Sequence, residues 1–158
     1  RDLGETMLEQ TIIYDKEAEW KKVGRFLRIR KVGEKTVLAY KEHNAHAVDG
    51  TLEIEFEVGD YKKAEQLLEK IGFPPFRHEQ KLRHTFELGG ITLDIDTWPR
   101  VPSYLEIEGS SEEELRKAAE MLGYDWKDAD FHNVSWIIEN KYDFPIRQMT
   151  WFTFDRFE

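Results

Sequence analysis

With 158 residues, 40% of them hydrophobic, 13% aromatic and 35% charged, the chain is long enough for one sizeable core and too aromatic for disorder, so a single domain over 1–158 is expected. Its 32 acidic against 23 basic residues, a formal charge of −9, disfavour nucleic acid or an anionic membrane as partner, and the absence of cysteine excludes disulfides, thiolate catalysis and Cys-ligated zinc. No apolar run approaches the ~20 residues that cross a bilayer and no signal-peptide core is present, so the expected compartment is the cytoplasm.

Gln10 to Tyr14 is β-branched and aromatic and reads as a strand ending in the polar run Asp15 to Glu19. Gly24 to Lys31 alternates, with Arg28 and Arg30 on one face and Leu27 and Ile29 on the other. After the turn Val32-Gly33-Glu34, Lys35 to Lys41 forms the second arm of a hairpin. Thr51 to Val58 places Glu53, Glu55 and Glu57 opposite Leu52, Ile54, Phe56 and Val58. The period then changes: Ala64, Leu67, Leu68 and Ile71 form the apolar stripe of a helix from Asp60 or Tyr61 to Ile71, stopped by Gly72. Pro74-Pro75 forces an extended exit, and Gln80 to Leu88 and Ile91 to Asp96 flank Gly89-Gly90, a two-residue hairpin signal. Tyr104 to Glu108 is a further strand, Ser110 to Glu114 starts a helix reaching Leu122, a short helix is expected at Val134 to Lys141, and Thr150 to Phe154 is a last strand.

The result is about eight strands with two or three helices outside, and the charges sit inside the strands. Arg28/Arg30, Glu53/Glu55, Lys81/Arg83, Asp94/Asp96 and Glu106/Glu108 all alternate with apolar residues. The plain reading is an antiparallel sheet with one solvated face, where cross-strand ion pairs contribute ~0.2–1 kcal/mol each. The other is a barrel whose charged faces line the lumen while helices cover the apolar faces. Such a lumen is costly without a bound counter-ligand. Arg and Lys grip phosphate oxygens and carboxylates hold a bridging divalent cation, so a polyanion with Mg²⁺ or Mn²⁺ suits it.

The order of these motifs resembles the CYTH superfamily of triphosphate-tunnel metalloenzymes, which includes class IV adenylyl cyclases and thiamine triphosphatases. The matching stretches are L-R-I-R at Leu27 to Arg30, the strand ending in Lys41, E-I-E at Glu53 to Glu55, I-G-F at Ile71 to Phe73, K-L-R at Lys81 to Arg83, L-D at Leu93-Asp94, L-E-I-E at Leu105 to Glu108 and S-W-I-I-E from Ser135, spanning roughly Glu9 to Tyr142. The resemblance implies an α+β fold, an antiparallel eight-stranded β-barrel or triphosphate tunnel with helices packed outside. It further implies that Arg28, Arg30, Lys41, Lys81 and Arg83 bind the triphosphate, with Lys41 and Arg83 catalytic, and that Asp94, Glu106 and Glu108 ligate Mg²⁺ or Mn²⁺. Glu53 and Glu55 match the family's internal acidic strand at the substrate, where they order the basic residues or approach the metal. Asp96 has no counterpart and is left outside the metal shell. The family's opening Glu-x-Glu-x-Lys strand and the helix after it precede the segment matching Gln10 to Asp15, and neither is found here. With Arg1 rather than Met at the start, a truncated or partly recorded chain is expected. Trp98-Pro99-Arg100-Val101-Pro102 stands where many relatives carry a glycine-containing turn.

The implied activity is metal-dependent hydrolysis of an inorganic or organic triphosphate such as tripolyphosphate, thiamine triphosphate or a nucleoside triphosphate, by a monomer or homodimer. The alternatives are a cyclase making cyclic AMP from ATP, a non-catalytic polyphosphate- or nucleotide-binding module, and a plain structural β-domain. Phosphate-site residues are identifiable and a base-specific pocket is not, which favours hydrolysis. His43 and His46 read as a solvated loop, and His84, pointing opposite to Arg83, as core or edge packing. Of the five tryptophans only Trp98, on the loop after Asp96, is expected at the rim.

Overall fold

The computed structural model describes residues 1–43 and 51–158, with backbone alone at 43 and 51. In chain order it contains β1 (Asp2–Ile13), α1 (Glu19–Lys22), β2 (Arg25–Val32), β3 (Lys35–His43), β4 (Thr51–Val58), α2 (Tyr61–Lys70), β5 (Pro75–Leu88), β6 (Ile91–Thr97), β7 (Tyr104–Glu108), α3 (Glu112–Met121), α4 (Val134–Tyr142) and β8 (Trp151–Phe152). The fold is α+β, with eight strands in one sheet of order β4-β3-β2-β1-β5-β6-β7. The registered neighbours are antiparallel, except that β8 joins β5 in parallel through His78 and Glu79. Among the described residues the strand path ends at β4 and β7, and no pairing closes it.

The chain divides into two compact units, residues 1–6 with 81–148 and residues 7–80 with 149–158, so β1 and β5 run through both. In the unit built on 7–80, Ile13, Ile29 and Leu68 form a buried core joined by Leu27, Leu38, Tyr61, Ala64 and Phe73. Helix α2 lies over this apolar strand face. It is started by Asp60, whose carboxylate accepts the Lys63 N–H at 3.0 Å. The expected stripe is wider than the buried one: Leu67 and Ile71 are exposed, as are Leu52, Ile54 and Phe56 of β4. The core that α2 covers is drawn from β1 to β3, so the apolar face of β4 stays in solvent.

In the other unit, Gly89 and Gly90 both take positive φ, 57° and 92°, as a tight hairpin turn between β5 and β6 requires. That turn fixes Leu88 opposite Ile91, and from there Arg83 opposite Asp96 and Thr85 opposite Asp94. Helix α3, capped by Ser111 accepting the Glu114 N–H at 3.3 Å, packs on β6 and β7 and buries Ala118 and Ala119. Ile138 of α4 and Ile146 are fully buried.

Most boundaries match the sequence expectation within a residue or two, with three exceptions. β1 starts at Asp2, far ahead of Gln10, and its first residues are exposed; main-chain bonding such as Glu87 N–H to the Arg1 carbonyl at 2.8 Å holds this end. β5 begins at Pro75 rather than Gln80 and is joined there by β8. The polar run after Tyr14 contains the one-turn helix α1, whose start is held by Asp15 accepting the Trp20 N–H at 2.6 Å.

Candidate active site

Period two in the strands, combined with the registers, sorts the side chains of each unit into two faces. In the unit built on 7–80, one face holds Gln10, Arg28, Arg30, Lys41, Glu53 and Glu55, because Gln10 faces Arg30, Ala39 links Arg28 to Glu55, and Lys41 faces Glu53. Glu53 joins two of the cations, accepting from Arg28 Nη2 at 3.2 Å and standing 3.0 Å from Lys41 Nζ. Burial, with Arg30 beside it, pushes the Arg28 guanidinium down to about 10. Burial and Arg28 likewise lower Lys41 against the pull of Glu53. Among the described residues the buried Nε groups of Arg28 and Arg30 have no hydrogen-bond partner, which is costly unless an acceptor is supplied.

β5 adds two residues to this unit that sequence reasoning missed. Arg77 and Glu79, both 4% exposed, form a buried pair at 2.5 Å, and Gln10 Nε2 donates to the second Glu79 oxygen. They lie ahead of the strand start expected from the sequence, and their alternation with Phe76, His78 and Gln80 was the available signal. On the opposite side of β1, the Thr11 hydroxyl donates to Glu65 at 2.9 Å and is bonded to Tyr61 Oη at 2.6 Å and His78 Nδ1 at 3.0 Å.

In the unit containing 81–148, the face shared by β5, β6 and β7 holds Lys81, Arg83, Thr85, Asp94, Asp96, Tyr104, Glu106 and Glu108. Asp96, 0% exposed, is gripped by both basic residues: Lys81 Nζ donates at 2.5 Å, and Arg83 donates from Nε and Nη2 at 2.7 Å each. Arg83 also reaches Asp94 Oδ2 through Nη1 and Glu106 Oε2 through Nη2, both at 2.6 Å. The second Asp94 oxygen accepts from Thr85 Oγ1 at 2.6 Å. Burial lowers Lys81 and raises Glu106, whereas Asp96 is held below the usual carboxylate range by Arg83 and Lys81 despite its burial. Arg83 is raised, because Asp96, Glu106 and Asp94 outweigh its desolvation.

One oxygen from each of Asp94, Glu106 and Glu108 lies within 4.8 Å of the others, close enough to surround a single ion. Hard carboxylate oxygens suit Mg²⁺ or Mn²⁺, so the residues present fit the implied metal. The sequence-derived metal set is therefore brought together, as are Lys81 with Arg83 and Arg28 and Lys41 with Glu53. Glu55 stays exposed on β4, and among the described residues Glu53 rather than Glu55 pairs with Arg28 and Lys41. Asp96, left outside the shell from the sequence, is the buried hub of its cluster.

Trp98 differs from expectation. It is 3% exposed, donates Nε1–H to Tyr104 Oη at 3.0 Å and lies under Lys81 Nζ at 5.2 Å from its ring, so it is a wall rather than a rim platform. His84, half-buried on the interior strand β5, is stacked on Phe86 and bonded through Nε2 to Asp2 at 2.7 Å. The side chains of His43 and His46 lie outside the described residues.

A family model for the CYTH domain matches residues 2–130. The chain belongs to the CYTH family. Among solved structures, this CYTH chain is similar to a conserved hypothetical protein from Pyrococcus furiosus, with 25% identity, a TM-score of 0.68, and 85% of this chain and 83% of that one covered. A candidate adenylate cyclase from Vibrio parahaemolyticus superposes with TM-score 0.73 at 13% identity, covering 87% and 83% of the two chains. A Hippeastrum adenylyl cyclase candidate with a dominant triphosphatase activity gives 0.62 at 17%, covering 89% and 84%. No curated protein sequence matches. The α+β arrangement is thus that of CYTH-family structures, and triphosphatase and cyclase-like proteins share it.

Proposed function

We propose that this CYTH protein is a metal-dependent triphosphatase that hydrolyses an inorganic or organic triphosphate. The observation that carries the reading is the cluster of Asp94, Glu106 and Glu108, their oxygens within 4.8 Å of one another and directly beside Arg83. The Hippeastrum relative, with its dominant triphosphatase activity, supports hydrolysis over cyclisation.

On this reading Arg28, Arg30, Lys41, Lys81 and Arg83 are the residues assigned to phosphate oxygens, with Lys41 and Arg83 the catalytic pair and Glu53 and Glu55 arranging the basic residues. The buried, unsatisfied Nε groups of Arg28 and Arg30 are donors that an anion would satisfy. Asp94, Glu106 and Glu108 would hold a divalent cation, which would supply neutralisation of phosphoryl charge and activation of water. Arg83, fixed through Nε and Nη2 by Asp96, would offer Nη1 where negative charge develops. On the same reading the chain is one CYTH domain over 1–158, cytoplasmic, a monomer or homodimer, acting on a small molecule rather than on nucleic acid or membrane. No helix among the described residues is long and apolar enough to cross a bilayer.

The test is incubation with tripolyphosphate, thiamine triphosphate and ATP in Mg²⁺ or Mn²⁺, scoring phosphate against cyclic AMP. Released phosphate is expected as the main product; cyclic AMP as the main product from ATP would replace hydrolysis with cyclisation.

A further inference from the structure

The guanidinium of Arg83 stands among the very carboxylates assigned to the metal. Its Nη1 is 2.6 Å from Asp94 Oδ2 and its Nη2 2.6 Å from Glu106 Oε2, while Asp96 takes Nε and Nη2 at 2.7 Å each. The two sets of contacts are unequal in kind. The Asp96 grip is bidentate along one edge of the guanidinium, from a carboxylate that is 0% exposed and also held by Lys81, whereas Asp94 and Glu106 each take one hydrogen. The cluster is also unbalanced: the carboxylates Asp94, Asp96, Glu106 and Glu108 number four against the two cations Lys81 and Arg83, a formal surplus of two negative charges. That surplus is the charge of one divalent cation.

We infer that Arg83 is a tethered counter-cation that occupies Asp94 and Glu106 until a divalent metal takes their oxygens, whereupon Asp96 retains the guanidinium by its other edge and Nη1 is left for an anionic substrate. The inference rests on the proposed metal site and adds an order of events to it. Metal binding and loss of the Arg83 hydrogen bonds to Asp94 and Glu106 are one step, so the phosphate-binding form of Arg83 exists only when the metal is in place. Asp96 is the positioning residue, because without its grip a displaced guanidinium has nothing to hold it at the site.

The experiment measures Mn²⁺ binding without substrate, by the electron spin resonance signal of free Mn²⁺, in the wild type, Arg83→Gln and Arg83→Lys. Removing the competing charge is expected to tighten Mn²⁺ binding by about tenfold or more in Arg83→Gln, and Arg83→Lys, which keeps the charge, is expected to stay near the wild type. Equal or weaker binding by Arg83→Gln overturns the exchange and leaves the metal site standing; no saturable binding by any of the three overturns both. If Arg83→Gln does not fold, the wild type decides the matter through its arginine side-chain resonances. Mg²⁺ should shift the guanidinium signal assigned to Arg83 over the same concentration range in which it binds, and an unmoved signal overturns the inference.

Discussion

Asp96 governs the energetics of the acidic cluster because it is the one carboxylate with no exposure and the one bonded to both Lys81 and Arg83. Removing one partner of a buried ionic set leaves the others uncompensated, so Asp96→Asn is expected to cost roughly 3–5 kcal/mol of stability at neutral pH by urea unfolding. The pH dependence has a definite sign. Its carboxyl is held below the ordinary value, so the stabilisation is complete above about 3.9, the unfolded value, and fades as the pH falls through the lower folded value. Asp96→Asn should therefore be less stable than wild type at pH 7 and show a flatter loss below about pH 4; parallel acid limbs would mean that the carboxylate is not ionised in the fold. Arg28 has the opposite character. Burial and Arg30 lower its guanidinium to about 10, so its charge weighs against the fold at every pH below that value. Arg28→Met is expected to melt at or above the wild-type temperature without ligand and to lose most of the stabilisation that tripolyphosphate gives. A lower melting temperature with full ligand response would remove Arg28 from the phosphate site.

Among the elements, α2 is the clearest case of a helix held by its cap and one buried residue. Asp60→Ala should cost ~1 kcal/mol through loss of the bond to the Lys63 N–H. Leu68→Ala, in the core with Ile13 and Ile29, should cost roughly 2–5 kcal/mol, while Leu67→Ala, exposed on the same helix, should be close to neutral in the same chemical unfolding assay. Leu67 also shows where the sequence pattern stops being informative: periodicity marks a stripe but not how much sheet lies beneath it. The strands were legible because their charges alternate with apolar residues, and β4 and β7 fall where that alternation places them. The start of β1 was not, since Asp2 to Thr6 has no apolar face and owes its extension to main-chain partners distant in sequence. The role of Asp96 was within reach: a two-residue turn at Gly89-Gly90 sets Arg83 opposite Asp96 by counting outward. The pair Arg77 and Glu79 depended on β5 starting ahead of Gln80, in a stretch where β8 pairs from 73 residues further on.

For the molecule as a whole, the decisive question is whether the ionic strand faces are solvated surface or binding surface. On β4 they are solvated, since Glu55 and Glu57 are exposed. Elsewhere the most deeply buried ionic groups, Arg77, Glu79, Lys81, Asp94 and Asp96, all lie on the charged faces, while α2 and α3 pack on the apolar ones. Burying that much charge is unfavourable on its own and becomes reasonable when a charged ligand completes it. The most direct test is the melting temperature in increasing tripolyphosphate with Mg²⁺ present. Binding to the folded protein at 100 times Kd stabilises by about 2.7 kcal/mol, so a saturable rise of several degrees is expected, reduced in Arg28→Met. An unchanged melting temperature up to millimolar tripolyphosphate would contradict a triphosphate site and leave the charged faces as structure alone.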